Sequence, residues 1–84
     1  MLLIHNMNIS IVLEEKRICL FDNDILYGYI EYKNNEYQFR TKSLLVAHSS
    51  NLDFFIRKIE TELQIKIPDS IVNKFKAQCC LQNL

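Results

Sequence analysis

His48-Ser49-Ser50 is the only local pairing of a base with a nucleophile in this chain. Nucleophilic catalysis needs a nucleophile, a base and a group that orients the base. Adjacent residues at a strand end point to different sides, so the run reads as a strand end followed by a helix start. His5 and His48 are far apart, and no cysteine pair has the short spacing of a zinc ligand set. No metal and no cofactor are expected. Phosphate-cradling loops and dinucleotide turns need several glycines for tight turns and close backbone approach. The chain has only Gly28. Glu14-Glu15 and Asp22/Asp24 fall in turns, where solvation accounts for them; an acidic docking edge is the alternative. The chain is not expected to be an enzyme.

A second group of residues suits binding. Tyr27 and Tyr29 alternate along one strand, and Arg40 and Lys42 along the next. Tyrosine and arginine are enriched at protein interfaces because each offers a large area with a hydrogen-bonding tip. The same mixture suits single-stranded nucleic acid, where bases stack on aromatics and cations track phosphates. Charge argues for protein first. Ten Lys and Arg balance ten Asp and Glu, so the net charge is zero. Each half of the chain, divided after Lys42, lies within one unit of neutrality. Neither a basic coat nor an acidic tail is present.

The elements that position these residues follow from pattern. Asn8–Leu13 alternates Ile9, Ile11 and Leu13 with polar positions, the period of a strand. Arg17–Phe21 is a second strand, stopped by Asp22-Asn23-Asp24. Ile25–Lys33 is a third. Asn34-Asn35 marks a two-residue hairpin, because Asn tolerates the positive φ of a type I′ turn. Glu36–Lys42 is then the fourth strand. The turn sets Lys33 opposite Glu36, Tyr32 opposite Tyr37, Ile30 opposite Phe39, Tyr29 opposite Arg40 and Tyr27 opposite Lys42. Leu26, Gly28, Ile30, Tyr32, Tyr37 and Phe39 should face the core. Tyr27, Tyr29, Glu31, Lys33, Glu36, Gln38, Arg40 and Lys42 should face away. In the second strand, a two-residue turn buries Cys19 and Phe21, and a three-residue turn buries Ile18 and Leu20. The latter is preferred because it buries the more apolar pair. Leu44–His48 is a short fifth strand.

Two helices follow, over about residues 51–64 and 69–81. Ser50 starts the first, with Asp53 as capping-box partner. Leu52, Phe55, Ile56, Ile59 and Leu63 form its apolar stripe, and Arg57, Lys58, Glu60 and Glu62 its solvated side. Pro68 ends that segment, and Asp69 or Ser70 caps the second helix, with Ile71, Val72, Phe75 and Cys79 inward. Strands followed by helices make an α+β fold, an antiparallel meander of four to five strands covered on one face. Gly28 would let a helix side chain approach closely.

The 84 residues predict one domain, 1–84, with residues 1–6 an extension if Met7 is an alternative start. A chain this short buries only about 60–65% of its unfolded surface, so a partner or a second copy would add stability. The apolar Met1–Ile4 run lacks a basic flank and signal-peptide length. No run reaches the length of a membrane span. Cys19, Cys79 and Cys80 are odd in number, and adjacent cysteines do not pair in ordinary geometry, so free thiols in a cytoplasmic, reducing setting are expected.

Ile, Asn and Lys supply 26 of the 84 residues, and Ala only two, a usage typical of AT-rich genomes such as those of phages and mobile elements. The layout, a meander plus C-terminal helices, resembles some small anti-CRISPR proteins and equally some toxin-immunity proteins. The resemblance is one of layout without a motif, so it implies inhibition of a larger protein or nucleoprotein complex and assigns no residue a role. A nucleic-acid-binding repressor or antitoxin is the second expectation, and a homodimer built on the tyrosine face is a third arrangement.

Overall fold

The computed structural model describes residues 8–82. The expectations for residues 1–7 and for the Cys80 thiol lie outside the described residues. Five strands, β1 (Ile9–Glu14), β2 (Arg17–Asp22), β3 (Ile25–Lys33), β4 (Glu36–Thr41) and β5 (Leu44–Ser49), precede two helices, α1 (Leu52–Leu63) and α2 (Asp69–Gln82). The strands form one antiparallel sheet in sequence order, so β1 and β5 are its edges. The fold is the α+β meander with two C-terminal helices that the pattern predicts.

Four two-residue turns build the meander. Glu15-Lys16, Asn23-Asp24, Asn34-Asn35 and Lys42-Ser43 all have positive φ at both positions, between 48° and 69°. This is the type I′ signature, whose twist matches that of paired strands. Lys42 therefore belongs to the β4–β5 turn and not to β4. The Asn34-Asn35 hairpin has the predicted register, with Lys33 opposite Glu36 and Tyr29 opposite Arg40.

The β2–β3 pairing differs from expectation in an informative way. The turn is the two-residue one, yet Ile18 and Leu20 are the buried pair. A β-bulge reconciles the two. Phe21 pairs with Leu26 and Leu20 with Gly28, so Tyr27 is an extra residue on β3. The bulge reverses facing beyond it. Leu26 becomes exposed, and Tyr27 packs on the core with its ring 6.4 Å from that of Phe39. A second bulge leaves Val46 unpaired between Leu45, opposite Arg40, and Ala47, opposite Phe39. Gly28 is required at the first bulge. A Cβ there would lie 2.7 Å from the Arg40 carbonyl oxygen and 2.9 Å from the Phe39 ring and the Thr41 methyl group. Its close neighbours belong to β4, not to a helix as expected.

Ile18, Leu20, Ile30 and Phe39 of the sheet meet Leu52, Phe55, Ile56 and Ile59 of α1 and Val72, Phe75 and Cys79 of α2. Ile67, in the connection, is also fully buried. The first helix is capped by Asn51, whose side-chain oxygen accepts from Phe54 N–H at 3.0 Å, and not by Ser50. Gln64 ends it in the left-handed region, and Ile65 N–H reaches the Glu60 carbonyl. Neither Asp69 nor Ser70 caps the second helix: the Pro68 carbonyl accepts its first backbone bonds, from Ile71 and Val72.

Candidate functional site

Among the described residues, nothing covers the sheet face opposite the helices. Strand alternation brings a row across it: Val12 of β1, Cys19 of β2, Tyr29 of β3, Arg40 of β4 and Leu45 of β5 are successive cross-strand neighbours. Beside that row runs a polar chain. Arg17 Nε lies 3.4 Å from one Glu31 oxygen, and Arg40 Nε lies 3.4 Å from the other. Arg40 Nη2 donates to Gln38 Oε1, and Gln38 Nε2 donates to Glu36 Oε2, each at 3.0 Å. His48 Nδ1 stands 3.2 Å from the other Glu36 oxygen. Gln38, only 3% exposed, has both ends of its amide satisfied by this chain. That satisfaction is what permits a buried amide on an otherwise open face.

The four residues expected at a binding site are divided. Tyr29 and Arg40 do share the uncovered face as a cross-strand pair. Tyr27 does not: the bulge turns it toward the helices, where it lines a cleft with Phe39, Ile59 and Leu63. Lys42 stands in the β4–β5 turn, beside a second cleft with Ile25, Leu26 and Thr41. The cation over Tyr29 is not its pair-mate. Arg17 holds its guanidinium carbon 4.5 Å from the Tyr29 ring centroid, while Arg40 is spent on Glu31, Gln38 and the Ser43 carbonyl. Arg17 was absent from the expected set because the β2–β3 register was open. The signal was its place opposite Glu31 once Ile18 faces Ile30.

Cys19 lies under this face and is 8% exposed. Burial, with Glu14 and Glu15 adding to it against the opposing Arg17, pushes its thiol above the ordinary 9.0. Cys19 and Cys79 are both buried. The Ser49 hydroxyl accepts from Asn51 N–H at 3.1 Å, an engagement in the α1 cap rather than with His48. Among the described residues no group of His, Cys, Asp or Glu is placed to hold a metal ion, and no helix is long and apolar enough to cross a membrane. The chain matches no protein-family model, no curated protein and no solved structure.

Proposed function

We propose that the protein is a non-catalytic binding module, a cytoplasmic inhibitor or adaptor of phage or mobile-element type that engages a larger protein or nucleoprotein complex through its uncovered sheet face. The observation that carries this reading is the Arg17–Tyr29 stack beside the row from Val12 to Leu45. A stacked aromatic–cation pair with apolar neighbours can be desolvated as a unit, which is how a few residues dominate an interface. The Glu31 bridge holds both arginines in place, so little side-chain entropy is lost on binding.

The test is capture from a lysate of the native host, comparing the wild type with Arg17→Ala/Tyr29→Ala by quantitative mass spectrometry. A partner enriched by the wild type and lost from the variant, with the circular dichroism spectrum unchanged, supports the reading. Equal capture by both removes this face from consideration. Nucleic-acid binding is the second reading, favoured by Tyr29 and the two arginines. It is opposed by the carboxylate of Glu31, which both arginines already engage.

A further inference from the structure

The edge at β5 presents a second surface, independent of the uncovered face. Leu44 is 69% exposed, Leu45 44% and Val46 55%, three large apolar residues in succession on an edge strand. Among the described residues, no backbone bond outside its pairing with β4 occupies β5. The edge carries no proline and no lysine, the usual guards against strand addition. On α1, Phe54 is 62% exposed. Phe54, Lys58 and Glu62 share a stripe at four-residue spacing. Lys58 and Glu62 line the cleft between α1 and β5 together with Val46 and Ala47, so this stripe borders the same edge.

We propose that two copies of this chain associate by antiparallel pairing of their β5 edges, with Phe54 of each copy entering the α1–β5 cleft of the other. The positions agree. Phe54 lies in the first turn of α1, at the end where β5 finishes. The cleft is bounded by Thr41, the last residue of β4, opposite Leu44 at the start of β5, and by Leu63, at the end of α1. A two-fold axis through the paired strands brings the finish of one β5 beside the start of the other. The knob of each copy then meets the hole of its partner. The cleft volume is about 160 Å³. An apolar cavity of about 150 Å³ accepts benzene, so the size suits one phenyl ring. Charge agrees as well. A chain of zero net charge does not oppose its own association.

Sedimentation equilibrium of the full chain tests this, with Phe54→Asp and Val46→Asp as variants. Both residues are exposed, and an unchanged circular dichroism spectrum verifies that each variant folds. A reversible dimer is expected for the wild type. Dimerisation should weaken by at least about 30-fold in either variant, the hot-spot threshold expressed as affinity. Hydrogen exchange should show β5 amides gaining protection with concentration. A monomer at every concentration overturns the proposal. So does a dimer that both variants leave intact, or one that protects the uncovered face instead of β5. A monomer that takes up an unrelated extended peptide on β5 overturns it too.

Discussion

Several residues hold conformations or bonds that their types do not advertise. Lys16 and Gln64 sit at φ 65° and 55°, in the left-handed region that glycine occupies without strain. Lys16→Gly and Gln64→Gly should each stabilise the fold by about 1 kcal/mol, seen as a higher urea midpoint at constant slope. A lower midpoint would show that these side chains make contacts worth more than the strain. Glu60 was expected on the solvated side of α1. Instead its Oε2 accepts from Ile67 N–H at 2.8 Å and lies 3.6 Å from Lys66 Nζ. Glu60→Ala should cost about 1–3 kcal/mol, because a part-buried donor loses its partner. Glu60→Gln, which keeps an acceptor, should cost less. Cys19 adds a pH dependence. Its folded pKa is raised, so the folded protein keeps the proton after the unfolded thiol has begun to lose it. That contribution is complete below the ordinary 9.0 and declines as pH rises from there through the folded value. Denaturation midpoints measured across that alkaline range should therefore fall less steeply for Cys19→Val than for the wild type.

At the scale of elements, strand and helix identities were legible and the bulges were not. Asn34-Asn35 fixed one hairpin because its turn chemistry acts locally. A bulge inserts one residue without a pattern of its own, and the alternation of Leu26, Gly28 and Ile30 concealed it. The one local signal was Gly28, since glycine inside a strand often marks a bulge or close backbone approach. Missing it places Tyr27 on the wrong face. Asn51 displaced Ser50 as cap for a similar reason: several residues there can cap, and only the chain path selects one. Gly28→Ala should be strongly destabilising, because two of the atoms its Cβ would strike belong to the backbone or ring of β4. A near-neutral Gly28→Ala would mean that the bulge relaxes to accommodate a methyl group. Phe39→Ala and Ile59→Ala, on opposing layers of the core, should each cost about 2–5 kcal/mol in chemical denaturation. Arg40 belongs with these structural residues as much as with the binding face. Its removal leaves Gln38 Oε1 without its donor, so a variant lacking Arg40 tests stability and binding together. Arg17 and Tyr29 are the cleaner pair.

For the whole molecule, the balance of charge separates the two binding readings. The uncovered face holds Arg17 and Arg40, but Glu31 lies between them within 3.4 Å of each. A phosphate approaching either arginine must displace or approach this carboxylate. Glu36 lies farther along the same chain of side chains. Around the Tyr29 stack the face therefore offers a nucleic-acid strand two arginines, both already compensated. For single strands, the logarithm of affinity falls with the logarithm of salt with a slope of roughly −0.7 per phosphate neutralised. Two contacts would give a slope of about −1.4. Binding of oligothymidine, measured by fluorescence anisotropy across a salt series, should be weak and should not exceed that slope. A slope several times steeper would require a cationic track elsewhere and would favour the nucleic-acid reading. Binding to a protein partner through the Arg17–Tyr29 stack should change little over the same series, since area and shape rather than released counterions would supply its affinity.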